Sequence, residues 1–106
     1  MEIRFSDEFL SAYKRLKKRH RSLQQDFEKL LASLLENPNQ GKIIYEDIQK
    51  VRLAITSKGK GKSGGARVIL RFAIINDELQ FIYIYDKSDY ENVSDAYVRD
   101  ILKRMK

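Results

Sequence analysis

The chain has no cysteine and one histidine, His20. Disulfides, thiolate metal sites and a cysteine nucleophile are therefore excluded, and a lone imidazole builds neither a zinc centre nor a histidine pair. The missing cysteines fit a reducing compartment, so a cytoplasmic location is expected. No apolar run approaches the ~20 residues that span a bilayer. The opening MEIRFSDEF also lacks the cationic and apolar regions of a signal peptide, and no membrane partner is expected. There is no P-loop, no Ser-His-Asp set and no carboxylate cluster to gather magnesium. Hydrolysis by those routes is excluded, and the sequence asks for no cofactor.

What is present is positive charge. Twenty-one Lys and Arg against 15 Asp and Glu leave a formal net charge of +6 in 106 residues, which favours an anionic partner, nucleic acid or acidic protein. With 42% hydrophobic residues the chain folds, and its length suits one domain, residues 1–106, with a single core. The charge concentrates in KGKGKSGGARVILR, Lys58 to Arg71. There a glycine-rich loop carrying Lys58, Lys60 and Lys62 runs into a strand pattern from Ala66 to Ile75. Alternation places Val68, Leu70, Phe72 and Ile74 on a buried face and Arg67 and Arg71 on an open one.

The remaining segments frame that junction. Glu2 to Phe5 alternates as a short strand. Ser6 caps a first helix with Asp7 and Glu8 in its opening turn and a basic run at its end. Ser22 and Gln25 form a capping-box pattern for a second helix, whose apolar face is Phe27, Leu30, Leu31, Leu34 and Leu35. Pro38 and Gly41 stop it. Ile43 to Thr56 is strand-like with a turn near Glu46-Asp47, and its second half puts Lys50 and Arg52 opposite Val51, Leu53 and Ile55. Asn76-Asp77-Glu78 turns into a strand from Leu79 to Tyr85, with Lys87 continuing the face of Phe81, Tyr83 and Tyr85. A last helix covers roughly Ser94 to Arg104, with Val93, Tyr97, Ile101, Leu102 and Met105 facing the core. The order β-α-α-β-β-β-α predicts an α+β fold: an N-terminal strand and helical hairpin packed on one face of an antiparallel sheet, with a C-terminal helix and the second sheet face open.

On that open face Lys50, Arg52, Arg67 and Arg71 converge, with Lys87 at one end and the lysine loop at the rim. A site of Arg, Lys and Tyr suits one reaction, metal-free cleavage of RNA by its own 2′-hydroxyl. The substrate supplies the nucleophile, arginine matches and neutralises the phosphate, and a lysine assists proton transfer when neighbouring cations lower its pKa. The same face also suits RNA binding without turnover, through Lys58, Lys60, Lys62 and Arg71.

At GKSGGARVILRF followed by IYIYDKSDYENVS, the sequence resembles the RelE/ParE toxin superfamily, and within it the RelE-like, HigB-type toxins. The resemblance covers almost the whole chain. It implies the toxin of a type II toxin-antitoxin system, an mRNA interferase that inhibits translation by cutting mRNA on the ribosome. The implied partners are a cognate antitoxin, the ribosome and mRNA, with the toxin monomeric when free and assembled further through the antitoxin. By that resemblance Arg67 meets the scissile phosphate, Lys50 and Arg52 match a lysine pair on the preceding strand, and Lys87 matches a basic residue ending the final strand. Ser88 stands where such enzymes carry a second arginine and Ser94 where they carry a catalytic tyrosine, leaving Tyr90 as the nearest substitute. Two other readings remain open: a ParE-like toxin that inhibits DNA gyrase by binding it, and a non-catalytic RNA-binding module.

Overall fold

In the computed structural model, which describes residues 1–59, 61 and 63–105, the described residues form three α-helices, a short 3-10 helix at Thr56–Lys58 and one five-stranded sheet. The elements are β1 (Glu2–Phe5), α1 (Asp7–Arg19), α2 (Leu23–Glu36), β2 (Lys42–Tyr45), β3 (Ile48–Leu53), β4 (Ala66–Ala73), β5 (Glu78–Asp86) and α3 (Asp95–Arg104). No helix among the described residues is long and apolar enough to cross a membrane.

The sheet order is β1-β5-β4-β3-β2. Strands β2 to β5 pair antiparallel as adjacent hairpins, but β1 joins β5 in parallel, so the sheet is mixed rather than wholly antiparallel. Connectivity explains the difference. The helical hairpin carries the chain from one edge of the sheet across to the other, which leaves β1 to pair beside the last strand. Ser6 then turns the chain out of β1: its backbone N–H donates to the Phe81 carbonyl, and its side chain accepts from Phe9 N at 2.8 Å as the α1 N-cap. Ser22 precedes α2 but forms no capping box. Its hydroxyl instead donates to Asp26 and accepts from Ser57 N.

Helices α1 and α2 bury one sheet face around Phe9, Phe27, Leu34, Leu70 and Phe81. Phe81 reaches that core because of a bulge. Ile69 pairs with Tyr83 but the next residue, Leu70, pairs with Phe81, so β5 carries one extra residue there. The expected single face of Phe81, Tyr83 and Tyr85 is thus divided: the Phe81 ring centroid lies 5.3 Å from that of Phe27, while Tyr83 and Tyr85 stack at 6.4 Å on the opposite side.

That opposite side is not wholly open, because α3 crosses it. At the helix's start, Tyr45 Oη donates to the Asp95 carbonyl and the Arg99 guanidinium lies 4.6 Å from the Tyr45 ring centroid. At its end, Arg104 pairs with Glu8, and Arg4 donates to the Met105 carbonyl. Val98 and Ile101 are fully buried beneath it, whereas Tyr97, expected in the core, is half-exposed with its ring against Tyr83. The helix covers one half of the face and leaves the half around Arg52 and Arg67 uncovered by secondary structure.

Candidate functional site

Register sets the site. Arg52 and Arg67 are direct cross-strand partners, as are Lys42 and Lys50 on the adjoining strand pair, and Tyr85 lies directly opposite Arg67 on the other side. Partners opposite one another project from the same face, so these side chains share one surface. Like charges placed in this way are destabilising. Two such pairs side by side impose a cost that an anionic ligand relieves.

The electrostatics show the same coupling. The Lys50 ammonium is held below its ordinary pKa by partial burial first, then by the charges of Arg67, Lys42 and Lys87. Burial and the neighbouring Arg52 push the Arg67 guanidinium down, opposed by Tyr85. For Tyr85 the main effect is burial, which raises its pKa, with Arg67 opposing. Lys50, Arg52, Arg67 and Lys87 therefore form one electrostatic group. Lys87 reaches it because its backbone N–H donates to the Gly65 carbonyl at 3.1 Å, tying the end of β5 to the entry of β4.

Arg67 is not the open side chain that alternation predicts: it is 5% exposed. Its guanidinium donates to the Ala66 carbonyl at 3.0 Å and to the Ser63 carbonyl at 3.2 Å, so the incoming loop folds over it. This fixes the fork's orientation. Gly65 makes the fold-over possible, because a Cβ there would lie 2.0 Å from the Leu53 carbonyl oxygen.

Other expected members are placed elsewhere. Arg71 shares the face but lies four residues along β4 from Arg67, roughly 13 Å at strand rise, and pairs with Asp47 at 2.7 Å. Lys58 is not at the rim. Its ammonium donates to buried Asp86 at 2.8 Å. Asp86 also receives His20 at 2.8 Å, Arg19 at 3.3 Å, and both the backbone N–H and hydroxyl of Ser88. Burial alone would raise the Asp86 pKa; the hydrogen bonds from Lys58, Ser88 and His20 outweigh it and hold the carboxyl well below its usual range. Lys58 and Ser88 thus anchor the loop and strand end. Lys60 and Lys62 lie outside the described residues. Ser94 caps α3, its hydroxyl accepting from Tyr97 N at 3.1 Å. Tyr90 is exposed, its ring edge-on to Tyr85 at 6.2 Å.

Two residues of the site were not anticipated from sequence. Lys42 enters through the β2–β3 register, which a bulge between Ile43 and Tyr45 conceals from simple alternation. Asn92 accepts from the Lys50 ammonium at 2.9 Å, a contact that no pattern in the chain announces. Beside the site, a groove of about 670 Å³ opens between α2 and β3, with Lys29, Lys42, Lys50 and Arg52 in its lining. Such a groove attracts a polyanion toward the same cations.

The family model described as the RelE toxin of the RelE / RelB toxin-antitoxin system matches residues 12–105. The fold is similar to that of a free-state double mutant of the E. coli toxin RelE, with TM-score 0.64 and 17% identity over 99% of this chain and 97% of that one. The isolated E. coli RelE toxin gives TM-score 0.63 and 18% identity, covering 99% and 98% of the two chains. A chain of the intact E. coli RelBE toxin-antitoxin complex gives 0.62 and 17%, covering 80% and 94%.

Proposed function

This chain belongs to the RelE toxin family, and on that premise we propose that it is a metal-free endoribonuclease that cuts mRNA on the ribosome, the toxin of a toxin-antitoxin pair. The observation that carries the proposal is the set of like-charged partners on one face, Arg52 with Arg67 and Lys42 with Lys50, with Lys87 coupled to them.

In the proposed reaction the substrate's 2′-oxygen attacks the adjacent phosphorus and the bond to the 5′-oxygen breaks. The products are a 2′,3′-cyclic phosphate and a 5′-hydroxyl. Lys50 takes the 2′-proton. Its lowered pKa makes the ammonium give up its proton more readily than an ordinary lysine does. Arg67, its fork fixed by the Ala66 and Ser63 carbonyls, neutralises the charge that grows on the phosphate oxygens, with Arg52 beside it. Exposed Lys87 delivers a proton to the leaving 5′-oxygen, and exposed Tyr90 stacks on a base. Arg71 supplies a phosphate contact outside the reacting centre, and Lys60 and Lys62 add positive charge that favours RNA. We place the chain in the HigB-type branch on GKSGGARVILRF and IYIYDKSDYENVS.

The partner that silences such a site is an antitoxin with an acidic segment that covers the cations and folds on binding. The E. coli toxin with the same fold is known in complex with its antitoxin, which supports this pairing. Adding the protein to a translation reaction and mapping mRNA ends tests the function. Cuts that appear only with ribosomes present support it; intact mRNA with gyrase-dependent DNA breaks would establish the topoisomerase alternative instead.

A further inference from the structure

Among the described residues, two buried side-chain polar atoms lack a hydrogen-bond partner, Gln80 Oε1 and Tyr85 Oη. The Gln80 side chain still uses its amide nitrogen, which donates to Glu78 at 2.7 Å. The Tyr85 hydroxyl has no hydrogen-bond partner in the protein, on a residue 2% exposed. Burying a hydroxyl without a partner destabilises the fold.

The position of this orphan donor is informative. Tyr85 is the direct cross-strand partner of Arg67, so their Cα atoms lie about 5 Å apart. It also lines a cleft of about 160 Å³ with Lys50, Ile69, Asn92 and Val93. Asn92 and Val93 form part of its wall, with Asn92 accepting from the Lys50 ammonium at 2.9 Å, and the Tyr90 ring lies edge-on to Tyr85. An anion that engages Lys50 competes with Asn92 for the same ammonium.

We propose that Tyr85 is a further catalytic residue, its phenol donating a hydrogen bond to an oxygen of the scissile phosphodiester beside Arg67. The proposal rests on the nuclease reading. In the free protein the donor is buried without a protein acceptor, at a cost to stability. In the bound state the phosphate supplies its acceptor, and the bond strengthens as negative charge grows on phosphorus. The class of ligand is a phosphodiester of single-stranded RNA.

Tyr85→Phe tests this with three readouts: thermal melting, kcat and KM for mRNA cleavage in a translation reaction, and affinity for a short single-stranded RNA with 2′-deoxy sugars, which cannot be cut. The expected result is a Tm equal to or above that of the parent, since the unpaired hydroxyl is gone, with kcat lower by about 100-fold. A variant that melts well below the parent would overturn the proposal, showing that the hydroxyl supports the fold. Unchanged kcat in a stable variant overturns it too, and leaves the nuclease reading standing. If the parent itself cuts nothing, that reading fails. Tyr85 is then judged on the uncut RNA: weaker binding by Tyr85→Phe supports the phosphate contact, and equal binding removes it.

Discussion

Asp86→Asn is the perturbation that probes most directly how the site is held. Asp86 is fully buried at the end of β5, and it accepts from Lys58 and His20 at 2.8 Å, from Arg19 at 3.3 Å and from Ser88. The amide keeps the size but removes the charge, and leaves the Lys58 ammonium, itself only 12% exposed, without its counter-ion. Breaking a buried pair on one side costs about 3–5 kcal/mol. Arg19 and Lys58 retain some access to water, which places the expected loss near the lower end, about 3 kcal/mol. In a domain of this size that lowers Tm by roughly 12–24 °C. The pH dependence has a definite sign. The folded-state pKa of Asp86 is lowered, so its contribution is present above the ordinary carboxylate value and is lost as pH falls through the folded value. The gap between parent and variant should therefore be widest at neutral pH and narrow under acid. Thermal melts from pH 7 down to pH 3 measure it. Equal melting temperatures at pH 7 would refute the ion-pair argument. Lys58→Ala gives a second reading: it should lose stability while leaving the cleavage rate of the remaining folded protein close to the parent's.

Arg67→Ala should lower cleavage by about 100-fold or more, with a folded far-UV spectrum. Arg67→Lys should recover little, because an ammonium does not reproduce the fork that the Ala66 and Ser63 carbonyls orient. Lys50→Arg keeps the charge but removes the titratable base, so cleavage should fall by roughly 100-fold. In the parent, log kcat should rise with pH and level off below the ordinary lysine pKa; in Lys50→Arg that rise should vanish, and a pH-rate series decides it. Gly65→Ala places a methyl against the Leu53 carbonyl and should cost about 1–3 kcal/mol in urea unfolding; an unperturbed midpoint would contradict the close approach.

The sequence pattern carried the element order well, because each segment shows its own period and its own stop signal. The turn at Glu46-Asp47, the Ser6 cap and the α3 start at Ser94 are all found where expected. What periodicity cannot carry is pairing. The parallel β1–β5 ladder depends on how the helical hairpin crosses the sheet, and the bulge that sends Phe81 to the helix side adds one residue to an otherwise regular strand. Strand alternation put Arg67 on the correct face. It could not show the loop folding over the guanidinium, since that depends on Gly65 meeting a carbonyl of another strand. Lys58 has the look of a solvated loop lysine, and only the buried carboxylate 28 residues later explains its direction. Lys42, Asn92 and the Tyr85 hydroxyl belong to the same class of tertiary facts, brought to Lys50 and Arg67 by register and by the crossing of α3.

Under the proposed function Lys50, Arg52, Arg67 and Lys87 act together on one phosphate of an RNA that supplies its own nucleophile. End mapping of a reporter mRNA, translated with parent protein and with Arg67→Ala in parallel, tests it most directly. Ribosome-dependent cuts within codons are expected, bearing 2′,3′-cyclic phosphate on one fragment and 5′-hydroxyl on the other and fading together in the variant. Intact message at full translation arrest, or equal cutting by a folded Arg67→Ala protein, would contradict it.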